Sequence, residues 1–306
     1  MLTTYYHPGY AAPIGQHIMP IRKFSLVADG LRDAPGIKLT RPEPVSEKDL
    51  QRVHTAEYIA AIKTGEPRDL AQSQKFPWSP ELFASVCLTN GGCLAAARQA
   101  LRDGVSAALV SGFHHAGADH GEGFCTFNGL VVAIDALVAA GEIHSGAVLD
   151  MDLHYGNGTA QLAVSRPHLF NLSLYGNDFW DNFCYRDVLE RHHQDGSNHV
   201  SFSLPAGCDR KTLFEIMDQA LPRLAERKPD VILYQAGADP YFEDPYSPLA
   251  LDHEDLRARD RRVFEFAQAH QIPIAWVLAG GYTSDVSKVV HVHLNTFEAW
   301  REVYGG

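Results

Sequence analysis

The sequence predicts an α/β protein whose core is an open, mainly parallel β-sheet with helices on both faces. Short apolar segments of strand length alternate with longer segments of helical periodicity, which is typical of βαβ units. No internal repeat, low-complexity tract or linker interrupts this alternation over 306 residues. Four predicted strands are followed directly by polar residues, and the carboxyl ends of parallel strands meet at one sheet edge. We therefore expect a single domain, residues 1–306, with its site at that edge.

The individual elements follow from this alternation. Residues 1 to about 45 are rich in Pro, Gly and His and predict an irregular surface segment with one short helix near 21–31. Ser46, followed three residues later by Asp49, resembles a helix N-cap, and the proline-rich stretch 64–80 predicts a loop. Strands are expected at 107–110, 146–151, 169–174, 231–234 and 274–278, and longer helices at 82–100, 128–140, 211–227 and 254–270. The loops at 9–23, 64–80 and 176–200 are expected to form the rim of the site.

Composition narrows the possible classes of protein. Lys and Arg number 26 against 37 Asp and Glu, and the resulting net charge of −11 disfavours nucleic acid and is compatible with a cationic substrate. The 5 cysteines include no Cys-x-x-Cys pair, which predicts reduced thiols in a cytoplasmic protein. The longest nearly apolar run, 129–141, is too short to span a bilayer. We expect no membrane anchor, and the sequence does not predict an oligomeric state.

The stretch from Gly146 to Thr159 combines a buried strand with a polar site. Asp150, Asp152 and His154 alternate along the extended chain, so their side chains share one face at intervals of about 6.5 to 7 Å. Like charges held together in a half-buried place are costly unless a cation neutralises them. One imidazole with carboxylate oxygens suits zinc, and also iron or manganese. Taken alone, the five-residue pattern could equally be a solvated strand end.

The other strand ends supply polar groups that would complete such a site. Asp239 follows the strand at 231–234 and is the expected third metal ligand, which leaves the open coordination position of a catalytic zinc. His114 and His115 follow the strand at 107–110 and could provide the general base and acid that amide cleavage requires.

Three further side chains have expected roles around these groups. Asp150 and Asn157 could orient the imidazoles through hydrogen bonds. Tyr282, after Gly280 and Gly281, could aim its hydroxyl at the oxyanion that forms on attack. Read without its neighbours, Gly-Gly-Tyr is more often a turn followed by a packed aromatic ring.

The ordered set of these motifs resembles the zinc-dependent histone deacetylase family, which includes bacterial deacetylase-like amidohydrolases and acetylpolyamine amidohydrolases. The resemblance covers roughly residues 5–290, with weaker similarity at Pro20-Ile-Arg-Lys23 and at Val53-His54-x-x-x-Tyr58. The motifs that carry it are His114-His115-Ala, Gly123-Phe124-Cys-Thr-Phe-Asn128, Asp150-x-Asp152-x-His154-x-Gly-Asn157-Gly-Thr, Gly237-Ala-Asp239-Pro and Gly280-Gly281-Tyr282.

This resemblance implies the arginase/deacetylase fold and hydrolysis of an Nε-acyl-lysine or a related acylated amine. It implies one zinc ion per chain, His115 as general base and acid, His114 as its electrostatic partner, and Tyr282 as carbonyl polariser. The implied zinc ligands are Asp152, His154 and Asp239. Phe124, Gly123, Gly280 and Gly281 would line the substrate channel, with the Gly123 carbonyl accepting the substrate amide N–H. A potassium ion would be held by Asp150, Asp152, Ser173 and main-chain oxygens of His154 and Leu174.

Two positions depart from the family pattern. Asn157 stands where many members carry Asp, so an amide replaces the carboxylate that would orient His115, and the basicity of His115 is expected to fall. Gly129 stands where Asp is common. The alternatives are a deacylase of acetylated polyamines, a non-catalytic acyl-lysine binding protein, and an arginase-like manganese ureohydrolase, which should show more carboxylate ligands.

Overall fold

The computed structural model describes residues 1–15, 17–176 and 197–305, and the strands of this part of the chain form one open sheet. The strands are β1 (Leu2–Tyr5), β2 (Ile37–Thr40), β3 (Val105–Ser111), β4 (Gly146–Asp150), β5 (Leu169–Gly176), β6 (His199–Leu204), β7 (Val231–Ala236) and β8 (Ile274–Leu278). Their order across the sheet is β2-β1-β3-β8-β7-β4-β5-β6, and every neighbouring pair is parallel. The expected mainly parallel sheet is confirmed.

The helices connect these strands. They are α1 (Lys23–Leu31), α2 (Glu47–Leu50), α3 (Ala56–Thr64), α4 (Arg68–Ala71), α5 (Leu82–Asp103), α6 (Gly129–Ala139), α7 (Asn157–Ala163), α8 (Arg210–Arg227), α9 (His253–Ala269) and α10 (Val286–Tyr304). Several begin at a side chain that accepts a backbone N–H, as Ser46 does for α2 and Asn128 for α6. None of the described helices is both long enough and apolar enough to cross a membrane.

The five strands β3, β4, β5, β7 and β8 are buried along their whole length. Burial on both faces explains why their sequences are nearly continuous apolar runs instead of alternating patterns. β3, β8, β7 and β4 are consecutive neighbours in the sheet. The four polar clusters predicted at strand ends therefore leave from four adjacent strands, at one edge, although they span residues 112–282 of the chain.

Four predictions about the elements were wrong or incomplete. The segment 1–45 was expected to be irregular apart from one helix, but it contributes β1 and β2 at one edge of the sheet. β2 is only half-buried, so it lacks the apolar run that identifies a central strand. The predicted loop 64–80 contains the short helix α4, and the rim loop 176–200 overlaps β5 and β6, with 177–196 outside the described residues. Helix α10 was not predicted, because its Val-rich first turns are more typical of a strand.

Candidate active site

The three expected metal ligands meet beyond the ends of β4 and β7. Asp152, His154 and Asp239 are buried, and one potential ligand atom from each lies within 4.8 Å of the others. His154 Nδ1 is 2.9 Å from Asp239 Oδ2 and 3.1 Å from Asp152 Oδ1. Among the residues that the structure describes, these three side chains form the one group of His, Cys, Asp or Glu whose ligand atoms lie close enough together to hold a metal ion.

The two carboxylates are held by backbone N–H groups from the neighbouring loops. Leu153 N donates to Asp239 Oδ1 at 3.0 Å, and Gly280 N donates to Asp152 Oδ2 at 2.7 Å. Gly280 is required here, because a Cβ atom at this position would lie 1.9 Å from Asp239 Oδ2. The loop after β8 therefore fixes the orientation of ligands that leave β4 and β7.

The electrostatics of this cluster favour a cation. Burial lowers the pKa of His154, but hydrogen bonds and charges from Asp152 and Asp239 outweigh burial and raise it to about 10. Burial, and then the charge of Asp152, raise the pKa of Asp239 to about 7. Two buried carboxylates that face one imidazole need positive charge between them. A divalent ion with imidazole and carboxylate ligands, such as zinc, fits this donor set.

His114 lies beside the cluster and is paired with Asp150. Its Nδ1 is 2.7 Å from Asp150 Oδ2, and its Nε2 is 3.7 Å from Asp152 Oδ1. Burial lowers the pKa of His114, but the charges of Asp150 and Asp152 outweigh it, so the net shift is upward. Asp150 also accepts the Asp152 backbone N–H at 3.1 Å, and so connects the end of β4 to the imidazole.

His115 is held by a different kind of partner. Its Nδ1 is 2.6 Å from Asn157 Oδ1, and Asn157 Nδ2 donates to Glu122 Oε2 at 2.7 Å. Burial, followed by the positive potential of His114 and His154, lowers the pKa of His115 well below its usual value. The two adjacent histidines are therefore shifted in opposite directions, because the charges of Asp150 and Asp152 outweigh burial at His114, whereas the hydrogen bond with the Asn157 amide does not outweigh it at His115.

Tyr282 and Phe124 form one aromatic wall above the cluster. The Tyr282 ring centroid is 5.8 Å from that of His154 and 6.2 Å from that of Phe124. Phe124 is half-buried, stacks on Phe76 and meets the edge of His17. Its φ of 66° lies in the left-handed region, which is costly for a non-glycine residue and is found mainly at functional sites.

The remaining predicted residues lie around the same centre. Gly123 has a φ of 53°, and a Cβ there would lie 2.4 Å from His115 Cδ2, so the backbone passes directly beside this imidazole. Gly281 packs against Val289 of α10. Ser173 pairs in register with Asp150 across β4 and β5, one residue before Leu174. The Ser173 hydroxyl is buried and makes no hydrogen bond to any residue that the structure describes.

Sequence reasoning missed two buried cations that contact the site. Lys23 Nζ donates to the Ala279 carbonyl immediately before Gly280. Burial lowers the pKa of Lys23 to about 8, while Asp239 and other carboxylates oppose that shift. The weak similarity at Pro20–Lys23 pointed to this residue without giving it a role.

The second buried cation is Arg259, on the buried face of α9. Its Nη1 donates to the carbonyls of Met151 at 3.2 Å and Gly237 at 2.9 Å, and thereby ties together the two loops that carry the ligands. An arginine on the apolar face of an amphipathic helix was the only sequence signal for it.

Two residues of the loop after Asp239 were also missed. Asp244 Oδ2 accepts the Tyr282 backbone N–H at 2.6 Å, and Asp244 Oδ1 accepts that of Tyr246 at 3.1 Å. The Tyr246 ring lies 5.3 Å from the Tyr282 ring and 5.9 Å from the His154 ring. Burial raises the pKa of Asp244 to about 6. Neither Asp244 nor Tyr246 directly follows a predicted strand, so they were not identified among the polar residues at strand ends.

Comparison with known proteins places this arrangement in a family. The histone deacetylase domain model matches residues 17–297. Histone deacetylase 2 of Arabidopsis thaliana is 27% identical over 87% of this chain and 68% of its own length, and the acetylpolyamine amidohydrolase of Burkholderia pseudomallei is 28% identical over 94% and 90%. The crystal structure of the HDA15 HD domain superimposes with a TM-score of 0.81 at 20% identity, covering 99% of this chain and 90% of that one.

These findings define the class of protein and then the family. An open parallel sheet of this topology, matched by the solved structure, confirms the expected arginase/deacetylase fold. The protein is a hydrolase that acts on amide bonds. The chain belongs to the histone deacetylase family.

Proposed function

We propose that this chain is a zinc-dependent deacylase that hydrolyses the amide bond of Nε-acyl-lysine side chains. The observation that carries the proposal is the buried cluster of Asp152, His154 and Asp239, with ligand atoms within 4.8 Å of one another. Two carboxylates and one imidazole resemble the three-ligand sets of catalytic zinc sites. When bound, zinc would supply an activated water and polarise the substrate carbonyl.

His115 is the proposed general base and general acid. Because Asn157 Oδ1 is an acceptor, it holds a proton on His115 Nδ1, so Nε2 is the nitrogen that would move a proton. A lowered pKa keeps His115 neutral at pH 7, which is the form that can take a proton from water. The same nitrogen would then protonate the departing amine. A well-placed group of this kind contributes roughly a hundredfold to ten-thousandfold in rate.

His114 and Tyr282 would stabilise the charge that develops. The raised pKa of His114 favours its cationic form beside Asp150, which supports a role as electrostatic partner of His115. The Tyr282 ring stands over His154, and its phenol would donate a hydrogen bond to the oxyanion. The backbone hydrogen bond from Tyr282 to Asp244 supports a fixed position for this ring.

The channel residues suit a substrate with an aliphatic stem. Phe124, Phe76 and His17 offer an apolar aromatic wall, against which the four methylene groups of a lysine side chain could pack. The Gly123 carbonyl is the proposed acceptor for the substrate amide N–H. Gly280 and Gly281 would form the opposite wall, because side chains there would collide with the ligands or with Val289.

A monovalent cation, most simply potassium, is proposed beneath the metal centre. The buried Ser173 hydroxyl lacks a hydrogen-bond partner among the described residues, and it pairs in register with Asp150. Asp150, Asp152, Ser173 and the main-chain oxygens of His154 and Leu174 would supply hard oxygen ligands, which suit such an ion.

Two broader features belong to the same proposal. We propose that residues 1–306 act as one catalytic domain, because the family model spans most of this length. We also propose that the protein works in the cytoplasm, since the described cysteines Cys87, Cys93, Cys125 and Cys208 are free and buried.

Acetylated polyamines are the second candidate substrate class. The Burkholderia relative named above is an acetylpolyamine amidohydrolase. The net charge of −11 favours a cationic substrate. Acyl-lysine remains the first choice because the aromatic wall is apolar.

The proposed function is tested by hydrolysis of a substrate panel with zinc-loaded protein. The panel contains acetyl-lysine peptides, longer acyl-lysine peptides and acetylated polyamines. Asp239→Ala and Tyr282→Phe are run beside it, and Tyr5→Phe, which removes a hydroxyl on β1, the strand next to edge strand β2, is the matched control. Peptide turnover that is lost in the first two variants and retained in the control is the expected result.

Two other results would change the assignment. Turnover confined to polyamines would move the protein to small-molecule deacylation. Zinc and acyl-lysine binding without any hydrolysis would refute the mechanism above and favour a non-catalytic binding protein. An arginase-like site with two metals is disfavoured, because the described residues offer one three-ligand cluster instead of the larger carboxylate set of a two-metal centre.

A further inference from the structure

Glu122 completes a hydrogen-bonded chain that reaches His115. Its Oε2 accepts from Asn157 Nδ2 at 2.7 Å, and Asn157 Oδ1 lies 2.6 Å from His115 Nδ1. An ionised carboxylate can only accept hydrogen bonds, so it binds the NH2 end of the Asn157 amide. The oxygen end is therefore turned towards His115, and His115 carries its proton on Nδ1.

The backbone holds Glu122 rigidly in this position. Glu122 N donates to the Cys125 carbonyl at 3.2 Å, and Cys125 N donates back to the Glu122 carbonyl at 2.8 Å. This tight turn contains Gly123 and Phe124, which are the proposed channel residues. The carboxylate is thus attached to the same turn that lines the channel, about one-third exposed at its outer side.

We propose that Glu122 is a positioning residue whose carboxylate acts on His115 through the Asn157 amide. The inference rests on the proposed function and deepens it by one residue. Glu122 fixes which end of the amide faces the imidazole, and a charged acceptor on the far side polarises the amide and strengthens its hydrogen bond to His115. Without the carboxylate the amide is free to rotate. Its NH2 group would then face His115 Nδ1, move the proton to Nε2 and remove the basic nitrogen.

The test uses Glu122→Gln, Asn157→Asp and the double variant in the full-length protein. Glu122→Gln keeps the shape of the side chain and removes its charge, and we expect kcat to fall about tenfold with little change in KM, the effect of losing one charge-assisted hydrogen bond. Asn157→Asp alone places two carboxylates side by side. The double variant gives His115 a direct carboxylate without that repulsion, and we expect its kcat to recover to within about threefold of the unaltered protein.

Glu57→Gln is the matched control, because it makes the same exchange at an exposed position in the first turn of α3, away from Asn157 and from His120, which itself pairs with Glu122. Its kcat should stay within about twofold of the unaltered protein. Thermal unfolding of every variant shows whether a loss of activity is a loss of folding. Glu122→Asp provides a second, shortened carboxylate, and we expect it to retain more activity than Glu122→Gln.

A readout that does not depend on turnover separates this inference from the proposed function. Nitrogen NMR of ¹⁵N-histidine-labelled protein reports which ring nitrogen of His115 carries the proton, whether or not any substrate is hydrolysed. We expect the Nδ1–H form in the unaltered protein and loss of that preference in Glu122→Gln. An unchanged tautomer together with unchanged kcat in Glu122→Gln would overturn the inference, as would a double variant no more active than Glu122→Gln.

Discussion

His54 should make the stability of this protein fall in mildly acidic solution. The side chain is buried at 2% exposure between α3 and α6. Its Nδ1 is 2.9 Å from the Gly117 carbonyl, and its Nε2 accepts the Asn128 backbone N–H at 3.0 Å. The ring is therefore neutral, with its proton on Nδ1, and a second proton on Nε2 would displace the Asn128 N–H. Burial lowers the pKa of His54 to about 4.

The size of the effect follows from the two pKa values. In the unfolded chain His54 has its ordinary pKa of 6.5, so the gap to the folded value is about 2.5 pKa units, or about 3 kcal/mol when fully expressed. As the pH falls, His54 is protonated in the unfolded chain before it is protonated in the folded protein. The contribution of neutral His54 to the free energy of unfolding is therefore fully present above pH 6.5. It decreases as the pH drops from 6.5 to 4 and is lost below pH 4. At pH 5 the expected loss is about 2 kcal/mol.

Urea unfolding of the unaltered protein and of His54→Gln, from pH 7.5 to pH 5, isolates this contribution. Glutamine can donate and accept as the neutral ring does but does not titrate in this range, so both proteins share every other titrating group. The difference in unfolding free energy between them should change by about 2 kcal/mol across the series. A difference that stays constant with pH would refute the reasoning, because it would mean that the folded protein accommodates the charged ring.

Three further predictions concern the support of the site. Gly280→Ala should abolish zinc binding, measured by metal content after dialysis, because the new Cβ would collide with Asp239; binding at the unaltered level would contradict the packing argument. Arg259→Met should cost about 3 to 5 kcal/mol in urea unfolding, because it removes the cation paired with the buried Asp260, which keeps the hydroxyl donors of Tyr234 and Thr296 but no longer has its charge balanced by Arg259; a cost below about 1 kcal/mol would contradict this. We expect potassium to raise the melting temperature relative to tetramethylammonium, and Ser173→Ala to abolish that increase; a potassium effect that persists in the variant would exclude this site.

The five central strands could be predicted because burial on both faces produces a simple sequence pattern. Strands covered on both faces must be apolar without interruption, so β3, β4, β5, β7 and β8 were recognised from composition and length. Their order across the sheet was not needed. It was enough that the ends of parallel strands share an edge, and the adjacency of β3, β8, β7 and β4 then brought the clusters together.

The strands at one edge of the sheet have no such continuous apolar pattern. β1 and β2 each have only four residues, and their neighbours determine whether they become strands. Arg259 and Glu122 were missed for a related reason. Arg259 contacts Met151, more than a hundred residues away, and Glu122 contacts Asn157, 35 residues away with α6 and β4 between them. Such partners become visible only when distant segments are placed in space.

The charges around the centre favour a divalent ion in addition to the buried cations. Asp150 is matched by His114, and that pair is neutral when the imidazole is protonated. Lys23 supplies one further positive charge near Asp239, but the carboxylate of Asp244 lies close to the same cluster and opposes it.

Asp152 and Asp239 then remain as two buried negative charges with a single imidazole, His154, between them. Isolated buried charges of this kind cost several kcal/mol each. A doubly charged ion neutralises both carboxylates at once and leaves His154 neutral, whereas protons would have to occupy both His154 and Asp239 to do the same. The acidic excess at the strand ends therefore supports a divalent metal at this site.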